Sequence, residues 1–215
     1  MLPESLHKWG ALFRAKARDL YPSADPSHDF LHIRRVVAAA VKFAVEEGAD
    51  LNIVVPAAYF HDFVNVPKND PRRSQASRLS ADAAAEYLQS VGYPAQYFDS
   101  IKHAIATHSF SANIPCETIE AKVVQDADRL DGLGAIGIAR CFSTSTIMGR
   151  PYYSEDDMLA ETRAPDDKLF AIDHFFVKLF KTAETLQTKS ARTEGARRVS
   201  FMKEYLQQLK TEVAA

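Results

Sequence analysis

The chain has 215 residues, of which 47% are hydrophobic and 25% are charged, a composition typical of one ordinary globular domain. Its net charge of −2 gives no electrostatic reason to expect a nucleic acid or an anionic membrane as partner. No run of about 18 apolar residues is present, which excludes a membrane-spanning helix, and the charged N-terminal segment is not typical of a signal peptide. The two cysteines, Cys116 and Cys141, form no zinc or disulfide pattern, so a reduced, cytoplasmic protein is expected.

Apolar residues recur at helical spacing along the chain, and no segment alternates between apolar and polar residues as a half-buried strand does. We therefore expect an all-α fold. Gly48 and Gly92 are placed as C-terminal caps, and Pro22 and Pro26 end the first helix. The pattern predicts helices over about residues 1–20, 28–48, 50–61, 77–91, 95–108, 118–139, 172–186 and 199–209.

A long polar segment, residues 143–167, interrupts the helical pattern. A stretch of this length without regular periodicity is commonly a lid, a binding loop or a partner-binding excursion. We expect a single domain over residues 1–215 of the chain. It is predicted to be a compact helical bundle with its core at about 27–141, followed by this loop and by C-terminal helices over 168–212.

His61 and Asp62 stand side by side at the end of an apolar run. His61 shares a helix face with Val54 and Ala57, so it is expected to point inward. Burying an imidazole beside a carboxylate is costly unless both groups are compensated, and a divalent cation compensates both. Adjacent helical positions can reach one ion only if other helices supply further ligands. The pair therefore predicts a metal site assembled from several helices.

Two further candidate ligands lie on other predicted helices. His32 is in phase with Val36 and Phe43, so it points inward, although a lone histidine on an apolar face is more often a satisfied core residue. Asp128 lies in a stripe of small residues that runs along the sixth helix, and we expect it to be buried with a partner. Asp126, at the margin of the bulky stripe of the same helix, is the competing candidate.

Helical phase also sorts the remaining titratable residues. His108 is in phase with Ile101 and Ile105, which makes it an interior candidate. His103 falls on the polar side of that helix, and Asp131 is expected at the surface.

An irregular segment over residues 64–73 follows the His-Asp pair and carries Asn65, Lys68 and Arg72. Guanidinium and ammonium groups are the side chains that neutralise phosphate oxygens, the first by a two-pronged contact and the second as a point charge. The segment therefore predicts a phosphate-binding loop. A solvated loop that is basic by composition is the alternative.

These features resemble the HD-domain superfamily of metal-dependent phosphohydrolases. The match lies in the order of His32, then His61-Asp62, then residues 127–130, all on predicted helices. A His-Asp pair alone is a weak signal, whereas several matching segments in order are specific. The resemblance extends from about residue 27 to the last helix. The sequence also resembles a narrower branch of short bacterial HD proteins, some of them nucleotide pyrophosphohydrolases. This likeness lies in residues 28–36, 65–69, 108–111 and 126–131.

The resemblance implies one divalent ion, and it favours Asp128 over Asp126 as the acidic ligand. With nitrogen and oxygen ligands and no thiolate, Mn or Mg is expected, and Co, Ni, Fe and Zn are alternatives. His28 and Asp29 belong to the motif, and both a substrate contact and a helix cap are open for them. The implied ligands are His32, His61, Asp62 and Asp128.

For the reaction, the resemblance implies hydrolysis of a phosphate ester or anhydride of a small metabolite, with a nucleoside triphosphate pyrophosphohydrolase favoured. The ion would lower the pKa of a water and polarise the phosphoryl group, and Asp62 or a nearby histidine would accept the proton. Lys68, Arg72 and His108 would stabilise charge on the phosphoryl oxygens, so Asp62, Lys68 and His108 are the expected catalytic residues. His174 and Lys178 are expected to contact the substrate, with a solvated helix face as the alternative. The expected substrate contacts are Asn65, Lys68, Arg72, His108, Arg129, His174 and Lys178.

Three alternatives remain at this stage. The first is a nucleotide sensor or interaction module that keeps the metal without useful turnover. The second is a phosphomonoesterase on nucleoside monophosphates, and the third is an oxygen-activating enzyme with two irons. His103 and His108 lack the full pattern for a second metal, which weighs against the third alternative. The expected partner is a phosphorylated small molecule, in the first place a nucleotide, and a homodimer is left open.

Overall fold

The computed structural model describes residues 4–21, 29–66, 70–109 and 112–213, with side chains from residue 6 onward. Within these ranges all regular structure is helical and no strand occurs, which confirms the predicted all-α fold. Among the described helices, none is both long and apolar enough to cross a membrane.

The longest described connection between helices follows the seventh helix. Short 3₁₀ turns at Arg73–Gln75 and Ala95–Tyr97 lead into α4 and α5, and a π-helical turn at Phe175–Leu179 continues into α8. The α-helices are α1 (Glu4–Leu20), α2 (Phe30–Glu47), α3 (Leu51–Phe60), α4 (Ala76–Ser90), α5 (Phe98–His108), α6 (Ile119–Leu130), α7 (Gly134–Ile147), α8 (Phe180–Glu184) and α9 (Lys189–Val213).

The chain forms two compact units, residues 1–128 and residues 129–215. The boundary between them falls inside α6. The organisation of residues 1–215 as a single domain stays a prediction.

The first unit is built around α3. Seven consecutive residues of this short helix, Val54–Phe60, are buried, as expected for a helix that is apolar on all sides and enclosed by others. It packs against α1, α2 and α5. On the α1 side the fully buried Phe13 makes edge contacts with Phe60 and Tyr59, at centroid distances of 5.2 and 6.0 Å. The His-Asp pair therefore follows directly after the most enclosed helix of this unit.

Side-chain caps fix where α2 and α3 begin. The Asp29 carboxylate accepts a hydrogen bond of 2.8 Å from the His32 backbone N–H, which places His32 in the first turn of α2. Asp50 does the same for Asn52 at the start of α3, also at 2.8 Å. Each cap satisfies a backbone donor that the first helical turn leaves free. Asp29 thus caps a helix, one of the two roles left open for it.

The predicted helix over residues 118–139 is wrong, because the structure breaks it in two. α6 ends at Leu130 and α7 begins at Gly134, whose φ of 73° lies in the left-handed region that glycine adopts without strain. A Cβ on Gly137 would also collide with the carbonyl of Gly132. The small residues of this segment therefore make a turn and a close approach of backbone rather than one continuous helical stripe.

The second unit contains α7, α8, α9 and the long irregular segment. α9 packs against α7 and α8. α7 extends to Ile147, so the irregular segment covers residues 148–174 rather than 143–167. The fully buried Asp173 holds this segment, since it accepts hydrogen bonds from Arg163 Nη2 at 2.8 Å and from the Asp166 backbone N–H at 2.6 Å. The segment is thus tied to a buried charge pair within its own unit.

Candidate metal centre

His61, the residue directly after α3, has a defined ring tautomer. Its Nδ1 lies 3.0 Å from the carbonyl oxygen of Ala58. A carbonyl can only accept, so the ring proton sits on Nδ1 and the lone pair on Nε2. The side chain is fully buried, and among the described residues Nε2 has no hydrogen-bond partner. A buried imidazole whose other nitrogen is fixed by a backbone carbonyl is the usual arrangement of a metal-ligating histidine.

Three elements bring a first group of ligand atoms together. His32 from α2 and His61 from the end of α3 both direct Nε2 at Oδ1 of Asp128 on α6, at 3.5 and 3.7 Å. The three ligand atoms lie within 4.8 Å of one another. α6 is held in place by Gln125, whose Nε2 donates to the carbonyl of Thr107 at 2.7 Å. The structure therefore gathers three of the four predicted ligands.

Asp62, the fourth predicted ligand, joins a second group that shares His61. Its Oδ2 lies 3.6 Å from His61 Nε2, and its Oδ1 lies 3.4 Å from His108 Nε2. His108 ends α5 and is buried, with its Nδ1 fixed by the carbonyl of Ile105 at 2.6 Å. The ligand atoms of His61, Asp62 and His108 also lie within 4.8 Å of one another.

These separations fit a shared cation better than direct hydrogen bonds. Hydrogen bonds between nitrogen and oxygen span about 2.7–3.2 Å, whereas ligand atoms placed about 2.1 Å from one ion stand about 3.0–3.5 Å apart. A neutral imidazole also presents the lone pair of Nε2 to the carboxylates, which is repulsive without a cation between them. The mixed donor set of histidine nitrogens and carboxylate oxygens suits a divalent metal ion. The residues present therefore fit a divalent ion.

The two buried histidines next to Asp62 differ in pKa. Burial lowers the pKa of His61, and the charges of Asp62 and Asp128 only partly offset it, which favours the neutral, ligating form. For His108 burial also acts to lower the pKa, but the contact with Asp62 and the charges of Asp62 and Asp128 outweigh it and raise the value. Burial therefore favours the neutral form of His61, whereas the neighbouring carboxylate favours the protonated form of His108.

The three acids around α6 differ in burial from the sequence expectation. Asp128 has the expected partners, His32 and His61, but it is 28% exposed, so the prediction that it is buried is wrong. Asp126 is the buried one, at 0% exposure. Asp131 is 3% exposed and paired with Arg140 at 2.7 Å, so its predicted surface position is also wrong. For Asp131 the cause is the end of α6 at Leu130, which turns the following residues out of the helical phase.

The residues predicted to contact the substrate belong to both units, and one of them lies outside the described residues. Asn65 is exposed, and Arg72 is exposed with its guanidinium on the Asp70 carboxylate at 2.9 and 3.1 Å. Asp70 in turn has a pKa of about 2, mainly because Arg72 hydrogen-bonds its charged form. Lys68 and His28 lie outside the described residues.

The other three predicted contacts belong to the second unit. Arg129 donates to the carbonyl of Thr185 at 3.0 Å. His174 Nδ1 lies 2.7 Å from Oδ2 of Asp167, and Lys178 is exposed. Burial lowers the pKa of His174 despite this carboxylate.

Sequence reasoning missed Tyr21, which lies next to the His-Asp pair. Its hydroxyl is buried and donates to the carbonyl of Tyr59 at 3.3 Å. Burial and the charge of Asp62 raise the pKa of Tyr21 well above its ordinary value. A signal was present, because Phe13, Ala17 and Tyr21 are spaced four apart and so continue one buried face of α1.

Comparison with known proteins agrees with this geometry. Residues 29–133 match the sequence profile of the HD domain. YpgQ of Bacillus subtilis is 32% identical over 205 residues, which are 93% of this chain and 91% of that protein. The crystal structure of YpgQ in complex with ADP superposes with a TM-score of 0.73 at 34% identity and covers 94% of this chain and 97% of that one. An HD-superfamily hydrolase from Bacillus thuringiensis gives a TM-score of 0.74 at 26% identity, with 99% and 98% covered.

Proposed function

We propose that this chain, which belongs to the HD domain superfamily, hydrolyses phosphoanhydride bonds of nucleotides with a divalent metal ion. The observation that carries the proposal is the buried Nε2 of His61, which faces Asp62 and Asp128 at 3.6 and 3.7 Å without a hydrogen-bond partner among the described residues. The ADP complex of YpgQ supports a nucleotide as the substrate class. Release of pyrophosphate from nucleoside triphosphates is the favoured reaction.

Four residues would hold a single ion, Mn or Mg in the first place: His32, His61, Asp62 and Asp128. When bound, such an ion lowers the pKa of a water and polarises a phosphoryl oxygen. The four residues leave room for a substrate oxygen, since a divalent ion of this kind accepts about six ligands. The tautomer of His61, fixed by the carbonyl of Ala58, keeps its Nε2 lone pair directed at the ligand cluster.

Asp62 and His108 would take part in removing a proton from the attacking water. One oxygen of Asp62 faces His61, which leaves the other, 3.4 Å from His108 Nε2, to accept a proton. His108 shares that proton or donates a hydrogen bond to a phosphoryl oxygen, and its raised pKa favours both roles.

The segment after the His-Asp pair would bind the phosphates through Asn65, Lys68 and Arg72. Arg72 would exchange Asp70 for a phosphate oxygen, and the exchange costs little because ion pairs at the solvent-exposed surface contribute little to stability. The contacts predicted for Arg129, His174 and Lys178 stay sequence predictions.

The test is to incubate metal-stripped protein with Mn²⁺, Mg²⁺, Co²⁺ or Ni²⁺ and with nucleoside mono-, di- and triphosphates and an aryl phosphate. We expect metal-dependent release of pyrophosphate from triphosphates. Phosphate from monophosphates or from the aryl ester would make the protein a monoesterase instead. Tight metal and nucleotide binding without turnover would make it a sensor. Undiminished hydrolysis by the Asp62→Asn variant would contradict the proposed site itself.

A further inference from the structure

Tyr21 lies directly after α1, on the face of that helix that packs against α3. The side chain is 6% exposed, and the backbone N–H donates to Ala17 at 3.1 Å, which continues the helical hydrogen-bonding pattern by one residue. Phe13, two turns earlier on the same face, contacts the aromatic rings of α3. The phenol of Tyr21 therefore reaches the end of α3 from a firmly packed neighbouring helix.

The Tyr21 hydroxyl donates to the carbonyl of Tyr59, two residues before His61, at 3.3 Å. It also lies close enough to Asp62 for the charge and the backbone N–H of that residue to influence its pKa. The hydroxyl thus lies beside the turn that carries both His61 and Asp62. A single side chain in this position restrains the direction in which His61 and Asp62 leave the helix.

The neighbouring carbonyls at the end of α3 are satisfied locally. The carbonyl of Ala58 faces His61 Nδ1 at 3.0 Å, and that of Phe60 accepts from the Phe63 N–H at 3.1 Å. Of these three carbonyls, that of Tyr59 takes its donor from Tyr21, the residue directly after α1. Helix ends leave carbonyls without intrahelical partners, and the group that fills them sets the path of the chain that follows.

We propose that Tyr21 is a positioning residue of the metal centre, whose hydroxyl fixes the turn from Tyr59 to Asp62 and so pre-organises His61 and Asp62 for one cation. This inference rests on the proposed metal site. Groups that orient metal ligands typically change metal affinity by about 10- to 100-fold when they are removed. Because Tyr21 acts through backbone groups, the lower end of that range is expected.

Tyr93 provides a matched control. It is 4% exposed, and its hydroxyl donates at 2.7 Å to the carbonyl of Asn52, in the first turn of the same helix. Both tyrosines hold a backbone carbonyl of α3, but only Tyr21 does so at the end that carries His61 and Asp62. Loss of either hydroxyl should cost a similar amount of stability, whereas only the loss at Tyr21 should affect the metal.

The experiment titrates Mn²⁺ into metal-stripped wild type, Tyr21→Phe, Tyr93→Phe and Asp62→Asn by calorimetry and records thermal melts of each. We expect the Kd of Tyr21→Phe to rise about tenfold and that of Tyr93→Phe to stay within about twofold of wild type. Tyr21→Met, which also lacks the hydroxyl, replaces Tyr21→Phe if the latter does not melt cooperatively.

Wild-type affinity in the Tyr21 variant would overturn the inference, and so would an equal loss in Tyr93→Phe, since the effect would then follow stability alone. Wild-type affinity in Asp62→Asn would instead show that the proposed metal site is wrong, and the inference would fall with it. A tenfold loss of Mn²⁺ affinity in Tyr21→Phe supports the inference even if the protein hydrolyses no nucleotide.

Discussion

Oδ1 of Asp62 lies 3.4 Å from Nε2 of His108, so the carboxylate that follows His61 in sequence meets the last residue of a different helix. The other oxygen of Asp62 faces His61. One carboxylate thus joins two imidazoles whose Nδ1 atoms are both fixed by backbone carbonyls. This geometry separates the proposed ligand His61 from the proposed proton carrier His108.

Replacing Asp128 by Asn should lower Mn²⁺ affinity by more than about 100-fold, beyond the loss typical of outer-shell groups, because Oδ1 of Asp128 is the atom that both His32 and His61 approach. Asp126→Asn is the matched control. Asp126 is fully buried and has partners within the fold, so its replacement should cost about 1–3 kcal/mol of unfolding free energy and leave metal affinity unchanged. Calorimetric titration and urea unfolding of both variants measure the two effects. The reverse pattern would assign the ligand to Asp126.

Replacing His108 by Asn should lower kcat by about 100-fold, since the variant lacks the proton-carrying Nε2. The asparagine amide can still donate to the carbonyl of Ile105, so the end of α5 should be preserved. His103→Asn, on the same helix, should behave as wild type, because His103 Nε2 only accepts a hydrogen bond from the Glu117 N–H. Steady-state kinetics with the nucleotide that the wild type hydrolyses fastest measure kcat for both variants. Equal kcat values in the two variants would remove His108 from the mechanism.

Replacing Arg163 by Ala should destabilise the second unit by about 3 kcal/mol, because the fully buried Asp173 would lose the guanidinium that compensates its charge. Lys210→Ala is the control. Lys210 pairs with Glu161 at 2.7 Å, but both are exposed, so the expected loss is below about 1 kcal/mol. Urea unfolding followed by circular dichroism measures both. A loss in Arg163→Ala no larger than in the control would mean that Asp173 finds another partner.

Glu194 should make stability depend on pH. Hydrogen bonds from Arg197 and Arg198 lower its pKa from 4.5 to about 2 in the folded protein. A carboxyl with a depressed pKa stabilises the fold fully above its unfolded pKa, and this stabilisation is lost as pH falls through the folded value. Glu194→Gln should therefore cost about 1 kcal/mol at neutral pH and almost nothing near pH 2. Urea unfolding at several pH values checks this, and a constant difference between the two proteins would contradict it.

Much of the fold and of the proposed site could be read from sequence because a helix repeats about every 3.6 residues, which defines the inward face of each helix. That argument correctly placed His32 and His61 inside, put His108 rather than His103 at the interior, and ended α2 at Gly48. The same argument failed at the break after Leu130. A glycine can continue a helix or end it, and which of the two occurs depends on the atoms that pack against it.

The sequence by itself determined that the protein is helical, that it belongs among HD-type proteins, and that histidines and acids on separate helices face inward. Only the tertiary structure decided which oxygen of Asp62 meets which imidazole, that Asp126 rather than Asp128 is fully buried, and that Tyr21 reaches the end of α3. The reason is physical: periodicity sets the direction of a side chain from its own helix axis, whereas the distance between atoms on two helices depends on how those helices pack.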